Sequence, residues 1–425
     1  MKTFSTLTIF ALATTSAMAI ESATLLHTDC TQANFCVVTK AENQISVNVK
    51  NIADGQTISL KVNPTSQKFT KFAVDGLQPN TQYEYELSAK NKVKGKFKTS
   101  PDFKGRTPPP DFSFVVLGKN YVNDAKFDPP FRTNGGEFEI FEQAFKVSPN
   151  FAIWANGADT LRNADVGSES AMLSRFAKSR ELKQAQNLLQ NVPNYGVMSA
   201  EASSVALPEK HSATAKNAQN AFEKIWTLPQ KNAGNYYSFS YSDADFFVLD
   251  TCTARSNLDY NQFVPEILGK EQLNWLMANL AASKANFKFV VLNIPLTNPA
   301  KNDKNFTYAP KERKALMDFL TFKKIEGVIV VSANKDCAEV TRFIRAGAYP
   351  LVEITAGAFT NRPASDTNEM NYFRMPNSLT KVRSFVSIKV DGTETDRQAT
   401  ISIINSKGDT LFSTIVKQSE LKGTN

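Results

Sequence analysis

The chain has 425 residues, 42% hydrophobic and 21% charged, and 49 Lys and Arg against 41 Asp and Glu give a net charge of +8. That length suffices for one large domain plus a small one. Four cysteines are too few for a disulfide-built miniprotein, and basic residues scattered among acids, with no basic run, argue against a nucleic-acid partner.

Met1-Lys2, an apolar run from Leu7 to Ala13 and an Ala17-Met18-Ala19 cleavage motif read as a secretory signal peptide over residues 1–19. The run is too short to span a bilayer. No cysteine follows it to take a lipid, and no later segment reads as a membrane span. The mature chain is expected to begin near Ile20, exported to the periplasm or beyond a bacterial cell, with about +7 once Lys2 is removed.

Residues 20–100 alternate as strands do. Ile45–Val49, Thr57–Leu60, Tyr83–Leu87 and Lys94–Lys98 are separated by Gly and Asn turns, which predicts a small all-β sandwich. Gly76-Leu77-Gln78-Pro79-Asn80-Thr81-Gln82-Tyr83 resembles the tyrosine corner of fibronectin type III-like domains. Residues 101–111, with Pro108-Pro109-Pro110, read as a stiff linker.

From residue 112 the rhythm changes. Phe112–Leu117, Phe151–Trp154, Tyr195–Met198, Phe246–Asp250, Phe287–Leu292 and Gly327–Ser332 are short apolar runs, expected as strands buried on both faces. Helix-period segments lie between several of them: Phe138–Val147, Ser168–Ser179, Glu181–Asn191, Ala215–Trp226, Lys270–Ser283 and Pro310–Lys323. Alternating strands and helices predict an α/β domain over 112–425. Phe385–Val390, Gln398–Ile404 and Thr410–Val416 are expected to complete one of its sheets.

Ligands of α/β folds collect beyond the carboxyl ends of the strands, and the residues there carry a specific likeness. Asp128-Pro-Pro-Phe131, Phe151-Ala-Ile-Trp154 with Leu161-Arg162-Asn163-Ala164-Asp165, Ile267-Leu-Gly-Lys-Glu-Gln-Leu-Asn-Trp-Leu276 and Lys324-Ile-Glu-Gly-Val328 occur in order. Together they resemble the alkaline phosphatase D family of metallophosphatases, over nearly the whole mature length. That resemblance implies a fibronectin-like domain before a calcineurin-like α/β/β/α sandwich, a dimetal centre, and phosphate mono- and diesters as the ancestral substrate class.

The ligand positions implied by the resemblance are altered. The family's "GDN" Asp and Asn fall on Gly157 and Ala158. Its "WDDHD" falls on Met198-Ser199-Ala200-Glu201-Ala202, and its "SGDRHH" on Ser332 to Cys337, with Asn334, Asp336 and Cys337 at ligand positions. Its "GSC" becomes Gly118-Lys119-Asn120, and Asp250 matches the acid of "LDxR", with Cys252 in place of the Arg. A two-metal hydrolase needs converging carboxylates and imidazoles. The expectation is an exported pseudo-phosphatase without cofactor, serving in binding to a protein, glycan or phosphate-containing ligand. Lys119, Arg162 and Lys335 are candidate anion holders.

Two rival chemistries use residues that remain. Asp159, Glu201, Asp250, Asp336 and Cys337 could hold one metal in a shifted register. Cys252 or Cys337 could act as a nucleophile, but the chain's two histidines, His27 and His211, lie in the small domain and in a polar stretch, where neither is expected to serve as a base. Cys252 and Cys337 could alternatively form a disulfide at the mouth of the site, and Cys30 and Cys36 could close a small loop.

Overall fold

The computed structural model describes residues 20–39, 44–65, 68–105, 107–122, 134–157, 167–199, 213–230, 232–256, 264–301, 304–365 and 369–423. β1 (Ile20–Thr28), β2 (Gln32–Thr39), β3 (Ile45–Asn51), β4 (Thr57–Val62), β5 (Phe69–Asp75), β6 (Gln82–Ser88) and β7 (Lys92–Lys98) form two antiparallel sheets, ordered β1-β2-β5 and β4-β3-β6-β7. Residues at alternate positions, among them Phe35, Val37, Val47, Val49, Tyr85 and Leu87, share one core between them, as the period of two requires. The expected corner is present: Gln78 N donates to Tyr83 Oη at 2.8 Å, tying the start of β6 to the backbone before it.

The larger domain begins at β8 (Phe112–Leu117). It continues through α1 (Ile140–Lys146), β9 (Phe151–Trp154), α2 (Glu169–Glu181), α3 (Gln186–Asn191), β10 (Asn194–Gly196) and α4 (Ala213–Ile225). Next come β11 (Tyr237–Tyr241), β12 (Ala244–Val248), α5 (Gly269–Ala282), β13 (Phe287–Val291), α6 (Pro310–Phe322) and β14 (Val328–Ser332). The chain ends with β15 (Glu339–Arg345), β16 (Ala348–Thr355), β17 (Ser384–Thr393), β18 (Asp396–Asn405) and β19 (Thr410–Lys417). Two six-stranded mixed sheets result, ordered β10-β9-β8-β17-β18-β19 and β11-β12-β13-β14-β16-β15.

The apolar runs explain the layering. In β8, Phe114 and Val116 face the core between the sheets, while Val115 and Leu117 face the core shared with α1 to α4. In β12 to β14, Phe246, Val248, Phe289, Val291, Ile329 and Val331 point inward, and Phe247, Val290 and Val330 pack under α5 and α6. A strand buried on both faces needs apolar residues at every position, which is what these runs supply. The inner layer is largely aromatic: Phe114 stacks on Phe151 at 5.0 Å and Phe246 on Phe289 at 4.9 Å. Glu312, on α6, accepts from Ile267 N, Leu268 N and Gly269 N at 2.7–3.0 Å, satisfying the open amides where α5 begins. The domains touch through Asn194 Nδ2, which donates to Leu25 O at 3.1 Å, and Tyr85 Oη, which donates to Gln190 O at 2.8 Å.

Three expectations need correction. The helix expected over Glu181–Asn191 breaks at Leu182, whose ψ of 128° is extended, and Gln186 Nε2 caps the break on Arg180 O and Leu182 O. β11, β15 and β16 were not among the expected strands. Serines interrupt β11, Arg342 and Ile344 on β15 are exposed, and Pro350 lies within β16, so none reads as a clean apolar run. Neither suggested disulfide is formed: Cys30, Cys36, Cys252 and Cys337 are thiols, and all but Cys30 are buried.

Candidate functional site

β8, β9 and β10 run parallel, as do β12, β13, β14 and β16. Their carboxyl ends therefore open onto common ground, and the altered motifs sit there. Residues 118–120 leave β8, 155–157 leave β9, 197–199 leave β10, 249–252 leave β12, and 333–337 leave β14. The exits are tied together. Lys119 N donates to Gly357 O at 2.9 Å and Phe359 N to Lys119 O at 2.8 Å, joining the exit of β8 in one sheet to that of β16 in the other. Cys252 Sγ lies 3.9 Å from Met198 O.

Two glycines mark how tightly these ends pack. A Cβ on Gly157 would lie 2.4 Å from Val197 O and 2.6 Å from Val197 N, and one on Gly118 would lie 1.9 Å from Gly357 O. The place implied for a metal-bridging carboxylate is thus filled by backbone. Lys119 is 4% exposed, and its ammonium lies 3.2 Å from Asp336 Oδ1. Asn361 Nδ2 donates to the same oxygen at 3.1 Å. Asn120, fully buried, accepts from Thr360 Oγ1 at 2.5 Å. Asn334 is buried with φ of +64°, a left-handed conformation that asparagine tolerates better than most residues.

The other candidates are engaged. Lys335 Nζ pairs with Glu339 at 3.2 Å and with Glu369. Burial alone would depress its pKa, but the two carboxylates outweigh burial and hold it above the usual lysine value. Burial pushes the Cys337 thiol up to about 11, which leaves little thiolate near neutrality and makes it a poor nucleophile. Asp250 is fully buried. Its carboxylate accepts from Cys252 N and Thr253 N at 2.9 Å, Asn235 N at 3.1 Å and Thr253 Oγ1, which makes it the organiser of its own turn. Ala158, Asp159, Arg162, Ala200, Glu201 and His211 lie outside the described residues, as does the 128–131 segment.

These residues do not fit a dimetal centre. Asn120, Ser199 and Asn334 offer neutral donors, Gly157 offers none, and the Asp336 carboxylate is neutralised by an ammonium. Among the described residues no group of three or more His, Cys, Asp or Glu is placed to hold a metal. Among the described residues Asn156, Ser199 Oγ and Asn293 Nδ2 are buried polar groups without a hydrogen-bond partner; of these, sequence reasoning singled out Ser199 but missed Asn156 and Asn293. Each such group costs about 1–3 kcal/mol. Asn156 and Asn293 are neutral residues directly beyond strand ends, and that placement was the available signal.

Residues 199–399 match a family model described as PhoD-like phosphatase, and residues 27–108 match one described as arylsulfotransferase Ig-like domain. The fold is similar to a solved structure of PhoD, with TM-score 0.75 and 14% identity, covering 97% of this chain and 93% of that one. It is also similar to the purple acid phosphatase PPD1 from yellow lupin (Lupinus luteus) seeds, with TM-score 0.67 and 12% identity, covering 94% of this chain and 74% of that one. At such identities the likeness shows the fold alone. No curated protein matches the chain in sequence.

Proposed function

The chain carries a PhoD-like phosphatase domain behind an N-terminal Ig-like domain, and from that premise we propose that it is an exported, noncatalytic member of the family whose role is binding. The observation that carries this reading is Lys119. Its buried ammonium is held by Asp336 on the ground where the family resemblance implies divalent cations, and two unit charges of like sign 4 Å apart repel by about 4 kcal/mol even at an effective dielectric of 20. The neighbouring side chains Asn120, Ser199 and Asn334 supply no anionic charge to offset a metal. Export rests on the leader-like residues 1–19. Among the described residues no helix is long and apolar enough to cross a membrane.

The test is metal content of the purified mature protein, with phosphomonoesterase and phosphodiesterase assays on the same sample, before and after adding divalent and ferric ions. Neither stoichiometric metal nor turnover is expected. Turnover that tracks bound metal would overturn the reading, and Asp159, Glu201, Asp336 and Cys337 would then be the first residues to substitute.

A further inference from the structure

At the opposite end of the second sheet, a cavity of about 360 Å³ is lined by Lys284, Lys288, Lys323, Lys324 and Lys422, with Glu326 its one acidic residue. It sits where β13 and β14 begin. Strands of this length place it roughly 15 Å from the exits at Asn293 and Ala333, so it is separate from the phosphatase-like loops. Four chain segments contribute: the turn after α5, the start of β13, the turn after α6, and the tail beyond β19. No run of basic residues in the sequence announces it.

Lys288 is the most telling member. It is 6% exposed, and its ammonium donates to Ala285 O at 2.8 Å and Glu326 O at 3.1 Å. An ammonium has three protons, and the third has no acceptor among the described residues. Burial pulls its pKa below the usual lysine value. Among the described residues none of the five lysines takes part in an ion pair, whereas Lys50, Lys224 and Lys335 do. The carboxyl ends of α5 and α6 lie nearby and attract cations, but each carries only about half a negative charge. Glu326 in the lining and Asp245, which acts on Lys288 from the neighbouring strand, add two carboxylates, and together these do not offset five ammonium groups.

We propose that this cavity binds a compact, multiply charged oxyanion bearing phosphate or sulfate groups, as an anchoring site independent of the phosphatase-like loops. The size falls at the lower end of small-molecule sites, which suits a head group or short oligoanion. Such a ligand can arrive free in solution or as the head group of an anionic lipid.

The experiment titrates the mature protein with inorganic tripolyphosphate by calorimetry at low and high salt. Binding near one per chain is expected, weakening as salt screens the charges. The double variant Lys284→Glu/Lys323→Glu reverses two exposed lysines of the cavity and is expected to lose roughly tenfold or more in affinity. Lys90→Glu/Lys407→Glu reverses two exposed lysines elsewhere, with the same net-charge change, and is expected to bind as the parent does. Vesicles of phosphatidylglycerol, set against phosphatidylcholine, separate the sources. Retention that tripolyphosphate competes away assigns a lipid head group, while tripolyphosphate binding without retention assigns a free anion. No binding at about 1 mM tripolyphosphate, or equal loss in both double variants, overturns the proposal.

Discussion

Replacing Gly157 with aspartate restores, in name, the carboxylate that the family resemblance implies between two metals. The structure argues that it cannot serve there. The new Cβ would meet Val197 O at 2.4 Å and Val197 N at 2.6 Å. Those atoms cannot step aside cheaply, because Gly157 N donates to Val197 O at 2.9 Å and Val197 N donates to Trp154 O at 3.0 Å. Overpacking of this kind costs about 1–3 kcal/mol, and a buried carboxylate without partners adds about 1–3 kcal/mol more. Unfolding entropy is about 2.1 cal/mol/K per residue, so over the roughly 310 residues of the larger domain a loss of about 4 kcal/mol lowers Tm by about 6 °C. Thermal melts of the parent, Gly157→Ala and Gly157→Asp, with and without zinc, iron, manganese or calcium, make the assay. Gly157→Ala isolates the clash; Gly157→Asp is expected to melt lower still and to gain nothing from any ion. A Gly157→Asp protein that melts like the parent, or that takes up stoichiometric metal and rises in Tm with it, would refute the reasoning.

The buried histidine and the cysteines lead to three further outcomes. Burial drags the His27 imidazole from 6.5 to about 4, against a smaller opposing pull from Asp29, and its Nδ1 lies 3.3 Å from Tyr195 Oη at the domain boundary. Between pH 6.5 and 4 the unfolded chain holds the proton and the folded chain does not, so stability is lost as pH drops through this range, by up to about 3 kcal/mol. His27→Phe should flatten that part of the curve in denaturant unfolding, and an unchanged slope would remove His27 as its source. A non-reducing peptide map should show no linked cysteines, and a Cys252–Cys337 bridge in it would contradict the structure. In the native protein Cys36 and Cys337, pushed to about 12 and about 11 by burial, should alkylate far more slowly than the partly exposed Cys30.

The strands that were legible in the sequence are those whose burial is uniform. Phe151–Trp154 and Val328–Ser332 are buried at every position, so each stands out as a largely apolar block between polar turns. β15 was hidden because its buried positions include Glu339 and Thr341. Glu339 is held by Lys335 at 3.2 Å and by Arg374 at 2.6 Å. Burial raises its pKa, but those two cations outweigh it and keep the carboxyl below its ordinary 4.5. A charged residue that pays its desolvation through partners from other segments reads as a surface position until the fold is known. The break at Leu182 was hidden for a related reason, since the glutamine side chain that stabilises it works through contacts no periodicity records.

At the site the sequence could reveal loss, because glycine and alanine carry no donor atoms wherever they are placed. What holds the loops of the site together is a matter of geometry. Loops from different strands meet here, and an ion pair and hydrogen bonds join them. Asp250 looked like a spare ligand, yet three hydrogen bonds commit it to its own turn and a fourth to the backbone of Asn235. Asp336 looked like another, yet it ties the exit of β14 to that of β8 through Lys119. Thr360, beyond β16, donates to Asn120 and ties the exits of β8 and β16, where the backbone of Lys119 and Gly357 already meets. Charge-assisted hydrogen bonds contribute about 1.5–3 kcal/mol each and neutral ones about 1 kcal/mol, so this set is of the right size to fix the loops. Gly157 fits this arrangement, because the absence of a Cβ lets the backbone beyond β9 approach Val197, beyond β10, more closely than any side chain would allow.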